Sequence, residues 1–217
     1  MSLYTPAPFA TDDRAAIARL MHEHPFATLV TPAAPEPMVS HLPLLLLADC
    51  QPHGTLIGHF ARANPQWQHA GDVQSIAVFH GPHAYISPSW YVDLERMVPT
   101  WNYASVHAHG TLEIIDNAAE AQGIMDALVQ RFEATRAAPW KFKREERERD
   151  ALMGAIVPFR MHIRRIDAKF KLSQNRSRDD RARVINALRA EGYREAEATA
   201  DWMGCYASPD IGRDEPR

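Results

Sequence analysis

The densest concentration of side chains with chemistry to offer lies between residues 80 and 110, in HGPHAYISPSWYVDLERMVPTWNYASVHAHG. Aromatic rings with a polar edge are what proteins use to grip a flat, partly polar ligand. Exposing so many large rings favours association, so we expect this stretch to face a core, a ligand or a partner subunit. Its rings and histidines are His80, His83, Tyr85, Trp90, Tyr91, Trp101, Tyr103, His107 and His109.

The histidines of this stretch make a metal site one interpretation. The spacing of His80 and His83 is compatible with ligation on a turn, and His107 and His109 would share one face of a strand. No acidic residue lies in HGPHAY or SVHAHG to complete a ligand set. The pattern therefore favours histidines that contact a ligand or make hydrogen bonds, and a metal or haem protein stays as an alternative.

A junction between a strand and a helix at GHFARANPQW has the features of an anion site. Arg62 is positively charged, and Asn64 followed by Pro65 is typical of an N-cap and the first position of a helix. Free backbone N–H groups at the start of a helix attract phosphate groups. The alternative is an ordinary junction with no ligand.

Two other segments have binding potential. In SHLPLL, His41 lies in an apolar strand beside Pro43, which cannot donate a ladder hydrogen bond and so indicates an edge, a bulge or a barrel mouth. In KFKLSQNR, an extended backbone would place Lys169 and Lys171 on one face, near Arg176. Such a cluster suits an anionic ligand, salt bridges across an interface, or a solvated basic turn.

The elements that must position these residues are mainly short strands, and their spacing favours a barrel over a parallel sheet. The predicted strands are Phe26 to Thr31, Met38 to Leu47, Thr55 to Phe60, Gln74 to His80, Asn102 to Ile115, Ile156 to Ile166 and Phe170 to Ser173. Predicted helices begin after Thr11 or Asp12, at Asn64 (PQWQHA), at Asn117, at Asp179 (ending near Gly192) and near Glu195. We predict a main domain at residues 1–176 and a helical appendage at 177–217 that ends in a disordered tail.

Composition narrows the function class. The chain has 217 residues and a net charge of -3, whereas nucleic-acid binders usually carry a basic excess. Cys50 and Cys205 form no ligand pattern, which fits a reducing cytoplasm. No apolar run approaches the roughly 20 residues of a membrane span, and the first residues do not read as a signal peptide. We therefore expect a cytoplasmic protein that does not cross a membrane.

Seven segments together resemble the PaiB family of FMN-binding negative transcriptional regulators. They follow the family order: YTPAPF, HPFATLV, SHLPLLL, GHFARANPQW, VFHGPHAYISPSWY, VPTWNYASVHAHG and KFKLSQNR. The resemblance covers Tyr4 to Arg176. It implies the FMN-binding split β-barrel shared with pyridoxamine phosphate oxidases and small flavin reductases, an α+β, mainly β fold with peripheral helices. It also implies a homodimer with FMN at the subunit interface.

The resemblance implies positions for the cofactor by analogy of architecture. The phosphate is expected at Arg62, Ala63 and Asn64, and the isoalloxazine ring along His41, Leu42 and Pro43. Groups that close the partner's site are expected at Trp101, Asn102, Lys169 and Gln174. The excursion between residues 87 and 100 is expected to cover the flavin pocket of the partner.

The expected function is that of a flavin-binding regulator. The motifs favour a ligand pocket over a DNA-reading surface, so any transcriptional effect is expected to be indirect and direct DNA binding is not the expected mode. A flavin-dependent oxidoreductase of the split-barrel type is the alternative, and the sequence identifies no catalytic residue for it.

Overall fold

Seven strands and five helices are formed by the residues that the computed structural model describes, 3–47, 53–71, 73–141 and 146–206. The strands are β1 (Phe26–Thr31), β2 (Met38–Pro43), β3 (Leu45–Leu47), β4 (Thr55–Ala61), β5 (Gln74–Ile86), β6 (Thr100–Ile114) and β7 (Ile156–Lys171). The helices are α1 (Arg14–Glu23), α2 (Ala118–Glu133), α3 (Glu146–Gly154), α4 (Arg178–Glu191) and α5 (Arg194–Cys205). None of these helices is long and apolar enough to cross a membrane.

All seven strands join one sheet, in the order β2-β1-β5-β6-β7-β4-β3. The pairs β1–β2, β1–β5, β3–β4 and β4–β7 are antiparallel, as the sequence predicts. The strands β2 and β3 lie at opposite edges of the sheet although only Leu44 separates them in the chain. Pro43 thus lies on an edge strand, which confirms the expectation from its missing N–H group.

The prediction of a single strand from Met38 to Leu47 is wrong. The strand breaks at Leu44, whose side chain is fully buried and whose N–H donates to the carbonyl of Pro25 at 2.9 Å. Two other strand predictions differ in length. The strand β5 continues past His80 to Ile86, and β7 is one strand from Ile156 to Lys171 where the sequence predicts two.

The chain divides into two compact units. The first unit comprises described residues within 1–20, 80–106 and 167–217, and the second comprises those within 21–79 and 107–166. The strands β5, β6 and β7 are long, and each has one part in the first unit and the other part in the second.

In the second unit, α2 covers the pair formed by β3 and β4. Asn117 caps this helix as predicted, since its side-chain oxygen accepts from the N–H of Glu120 at 3.0 Å. Apolar side chains at helical spacing face the sheet and exclude water. This cluster comprises Leu45, Ile57, Ile115, Ala121, Ile124 and Leu128.

Three caps in the first unit fix where α1 and α4 begin and where α4 ends. Asp13, not the predicted Thr11 or Asp12, caps α1, because its carboxylate accepts from the N–H groups of the residues at 15 and 16. Ser177 caps α4 by accepting from the N–H of Asp180 at 3.1 Å. Gly192, at φ 70°, provides the left-handed C-cap that the sequence predicts. The predicted disordered tail, 207–217, lies outside the described residues.

A buried glutamine ties together the start of the second unit. The segment predicted as a helix at PQWQHA is a 3₁₀ turn, Pro65–His69, and Gln66 within it is completely buried. The side-chain nitrogen of Gln66 donates to the carbonyl of Leu29 at 3.1 Å, the hydroxyl of Thr31 at 3.0 Å and the carbonyl of Met38 at 3.3 Å. Its oxygen accepts from the hydroxyl of Ser40 at 2.6 Å. The turn is thereby fixed to β1 and β2.

We predict that Gln66→Ala lowers the free energy of unfolding by about 2–3 kcal/mol, because buried acceptors on two strands lose their donor. The matched control is Gln68→Ala, since Gln68 is exposed on the same turn and its replacement should change stability by less than about 0.5 kcal/mol. Urea denaturation of both variants measures the difference. Equal stabilities for the two variants would contradict the account of this network.

Candidate functional site

Polar and aromatic side chains gather on one face of the strands in the first unit. Successive side chains on a strand point to opposite faces, and here one set is apolar and buried while the other carries rings and cations. Contacts between neighbouring strands place the second set on a common face. This aromatic–lysine face comprises His83, Tyr85, Trp101, Tyr103, Lys169 and Lys171.

The centre of the aromatic part is Trp101. Its ring centroid lies 6.1 Å from that of His83, and it lies 6.2 Å from that of Tyr85 in an edge-on arrangement. Although two rings support it, Trp101 remains 52% exposed and Tyr85 41% exposed. A supported but uncovered aromatic surface of this kind can accept a flat ligand.

A buried ammonium group lies beside these rings. Lys169 is only 7% exposed, and its Nζ donates to the backbone carbonyl of Tyr4 at 3.0 Å. The same nitrogen lies 5.3 Å from the centroid of the Tyr103 ring and 5.4 Å from that of Tyr4, within the range of cation–π attraction. An ammonium has three donor hydrogens, and one of them meets an acceptor among the described residues.

Lys171 extends the positive charge toward Trp101. Its Nζ donates to the carbonyl of Trp101 at 2.7 Å and to the hydroxyl of Thr100. Burial, followed by the positive charges of Lys169 and Arg176, lowers the pKa of Lys171 below its ordinary value.

The three cations of this cluster, Lys169, Lys171 and Arg176, form no salt bridge with a carboxylate in the parts of the chain that the structure describes. Arg176 instead lies over the ring of Tyr91, with its guanidinium carbon 5.4 Å from the ring centroid. Positive charge concentrated without an internal counter-ion favours the binding of an anion.

Two of the expected ligand residues face away from this surface. Asn102, buried next to Trp101 in the sequence, donates from Nδ2 to the hydroxyl of Ser173 at 2.9 Å and to the sulfur of Met203 at 3.3 Å. Gln174 accepts from the N–H of Leu172 at 2.7 Å and donates to a backbone carbonyl. Both side chains therefore stabilise the passage from β7 to α4, where Ser173 adopts a positive φ of 61°.

In the second unit, the expected phosphate residues lie after β4. The guanidinium of Arg62 donates from Nε to the carbonyl of Gly154 at 2.6 Å and from Nη2 to that of Ile156 at 2.7 Å. Asn64 caps the following turn by accepting from the N–H of Gln66 at 2.9 Å. Arg62 thus holds the junction between α3 and β7, and Ala63 beside it is exposed.

The residues expected along the flavin ring lie on the edge strand β2 of the same unit. His41 is exposed, its Nδ1 lies 3.1 Å from the hydroxyl of Thr28, and its ring stacks on Phe26 at 6.4 Å. Leu42 is buried, and Pro43 is half-buried at the strand end. The structure therefore groups His41, Leu42 and Pro43 on one strand, while Trp101 and Lys169 belong to the first unit.

The structure also bears on the alternative interpretation of a metal site. Among the residues described, no three or more histidine, cysteine, aspartate or glutamate side chains are grouped so that they could hold a metal ion.

Comparison with known proteins identifies the family. A family model described as "Putative FMN-binding domain" matches residues 3–165. The chain belongs to this family. A relative from Bacillus subtilis, "Protease synthase and sporulation protein PAI 2", is 35% identical over 206 residues, which cover 93% of this chain and 96% of the relative. The predicted membership of the PaiB family is thus confirmed, and so is FMN as the cofactor.

Solved structures of low sequence identity share the fold of this family member. The FAD and heme binding protein from Mycobacterium smegmatis is 18% identical and has a TM-score of 0.59, covering 80% of this chain and 78% of that chain. A flavocytochrome from Azotobacter vinelandii is 14% identical and also has a TM-score of 0.59, covering 80% of this chain and 75% of that chain. These likenesses confirm the predicted split-barrel fold class.

The side chains of the aromatic–lysine face fit the chemistry of FMN. A phosphate monoester needs cationic donors, and Lys169, Lys171 and Arg176 have no internal counter-ion among the described residues. The isoalloxazine needs a flat apolar surface, and Trp101 leaves half of its surface uncovered. In WNY and KFK the ligand-type residues are two positions apart, and on a strand this spacing predicts that they share one face.

We predict that Arg62→Ala lowers the free energy of unfolding by about 1 kcal/mol, because two backbone carbonyls lose a charged donor at an exposed position. Arg136→Ala is the control, since Arg136 is exposed and near the same helices in the chain. Thermal denaturation without flavin measures both. A stability for Arg62→Ala equal to that of the parent would show that the guanidinium does not hold the junction between α3 and β7.

Proposed function

We propose that this chain is a homodimeric flavin-binding regulator of the PaiB type, and that FMN binds at the aromatic–lysine face. The observation that carries the proposal is a cluster of three cations without a carboxylate partner among the described residues, beside an exposed and supported tryptophan. FMN combines the two complementary features in one molecule, a phosphate and a flat ring.

The phosphate is assigned to the lysines. A phosphate monoester carries about −1.5 to −2 charges near neutral pH and has three acceptor oxygens. Lys169 keeps donor hydrogens available after its bond to the Tyr4 carbonyl, and Lys171 lies two residues further along the same strand face. Burial lowers the pKa of Lys171 most, and the positive charges of Lys169 and Arg176 lower it further; a bound phosphate would offset that repulsion.

The ring is assigned to Trp101. Stacking on its uncovered surface would bury apolar surface of both partners, and the indole already contacts a tilted His83 ring and an edge-on Tyr85 ring. When bound, FMN would supply redox chemistry that side chains lack. The residues of the face orient the cofactor and exclude water from one side of it.

The second unit offers a competing place for the phosphate. Arg62 has donor hydrogens on Nη1 that no described residue accepts, and Asn64 and Ala63 follow it at the turn. The ring would then run along His41 to Pro43. We favour the lysines because three cations are concentrated there beside an exposed tryptophan, whereas Arg62 is a single cation already bonded to two carbonyls.

We further propose that a second copy of the chain covers the excursion after β5. Val92, Leu94 and Val98 are 62%, 53% and 69% exposed in the single chain, and apolar side chains clustered in one segment favour association.

We expect the dimer to be cytoplasmic. Ligand-dependent change in the dimer, and not direct contact with DNA, is the proposed route to a transcriptional effect, since the net charge is -3.

We predict that Lys171→Ala weakens FMN binding at least tenfold, because a charge-assisted hydrogen bond to a dianion contributes about 1.5–3 kcal/mol. Arg189→Ala is the matched control: it removes a positive charge of the same unit from an exposed ion pair with Asp201. Fluorescence titration with FMN measures the dissociation constants.

Arg62→Ala in the same titration decides between the two placements. A loss of binding in Arg62→Ala with an unchanged Lys171→Ala would move the phosphate to the turn after β4, and no binding by the parent would refute the flavin site.

Sedimentation of the FMN-loaded parent tests the dimer. Rapid oxidation of reduced nicotinamide by the same sample would favour an oxidoreductase over a regulator.

We predict that FMN affinity falls as the pH rises from neutral toward 10.5, the ordinary pKa of a lysine. Burial and neighbouring cations lower the pKa of free Lys171, and only its protonated form attracts the phosphate, so affinity is complete below that pKa and is lost above it. Lys171→Arg should remove the fall, since arginine stays charged. An identical pH profile for Lys171→Arg would assign the titration to another group.

A further inference from the structure

The first residues of the chain form a strap beside β7. This N-terminal strap, residues 3–11, contains a 3₁₀ turn at Ala7–Phe9 that follows a proline. Its base is fixed at three points: an isolated bridge joins Ala10 to Lys169, the N–H of Thr11 donates to the carbonyl of Ala168 at 3.4 Å, and the hydroxyl of Tyr206 donates to that of Thr11 at 2.7 Å.

The tip of the strap depends on one cation. The carbonyl of Tyr4 accepts from the Nζ of Lys169, and this ammonium also lies under the Tyr4 ring at 5.4 Å. The ring itself is 84% exposed. A buried charge therefore fixes the backbone of a residue whose aromatic side chain has almost nothing covering it.

Such an arrangement has no evident value for stability. Burying an ammonium costs free energy, and one hydrogen bond to an exposed segment returns little of it. An aromatic ring held in place before a ligand arrives, however, raises affinity because less motion is lost on binding. The Nζ of Lys169 lies 5.4 Å from the ring centroid of Tyr4 and 5.3 Å from that of Tyr103, so both rings adjoin the cation to which the phosphate is assigned.

We propose that Tyr4 contacts the bound flavin nucleotide, and that Lys169 is a positioning residue that holds Tyr4 at the site through the strap. This inference rests on the proposed function, because it places the same ligand on the same cation. It adds a segment far away in sequence to the aromatic–lysine face, and it gives the strap a role in retaining a ligand that has both an aromatic ring and a phosphate.

The test is a titration of the full-length chain with FMN. Tyr4→Ala should weaken binding about tenfold, because stacking of an aromatic side chain on a heterocycle is typically of this magnitude. Tyr4→Phe should restore most of the affinity. Tyr193→Ala is the matched control, since Tyr193 is also an exposed tyrosine of the first unit but caps α5 from its backbone.

Hydrogen exchange of the strap provides a second readout that a purely structural role would not move. In the parent, FMN should slow exchange of the amides in residues 3–11, and Lys169→Gln should speed their exchange in the free protein, where no phosphate contact is involved. These results together would support the positioning role of Lys169.

The outcomes separate this inference from the proposed function. If Lys171→Ala loses FMN while Tyr4→Ala binds as the parent does, the inference is overturned and the flavin site stands. Equal losses in Tyr4→Ala and Tyr193→Ala would also overturn it, because the effect would not be specific to the strap. A parent that binds no FMN would refute both.

Discussion

A buried lysine ammonium without a carboxylate partner in the described chain is the constraint on which the first unit depends. Charges are rarely buried unless paired, because desolvation costs several kcal/mol per ion. The ammonium of Lys169 has instead one carbonyl and two aromatic faces, and Lys171 and Arg176 add like charge nearby. Positive charge concentrated in this way favours the binding of an anion, which is the physical basis of the proposed site.

Side chains alternate along these strands, so one set packs in the interior and the other forms the aromatic–lysine face. On β6, Trp101 is exposed on the aromatic–lysine face while Asn102 next to it is buried and bonded to Ser173. On β7, Lys169 faces the rings while Phe170 is completely buried against Trp202, with ring centroids 5.5 Å apart. A one-residue shift of either strand would exchange these roles, so the packing of the apolar face fixes the geometry of the aromatic–lysine face.

Much of this could be predicted from local pattern, and the rest depends on contacts across long separations. Strand β1, the caps at Asn117 and Gly192 and the edge position of Pro43 follow from short-range signals. The break at Leu44 does not, because it reflects burial of that side chain in the folded chain. Pairing the lysines on one face needs only the period of two, whereas the bond from Lys169 to Tyr4 joins residues 165 positions apart. The hydrogen bonds that Arg62, Asn102 and Gln174 make within the protein could not be predicted either. The sequence does not distinguish a polar residue that bonds another part of the chain from one that binds a ligand.

The most direct test of the central claim is a crystal structure of the protein with FMN bound. We expect phosphate oxygens within about 3 Å of the Nζ atoms of Lys169 and Lys171, and the isoalloxazine against the ring of Trp101, as the proposed site requires. Phosphate bound at Arg62 and Ala63, with the lysines free of ligand and the ring of Trp101 uncovered, would contradict it.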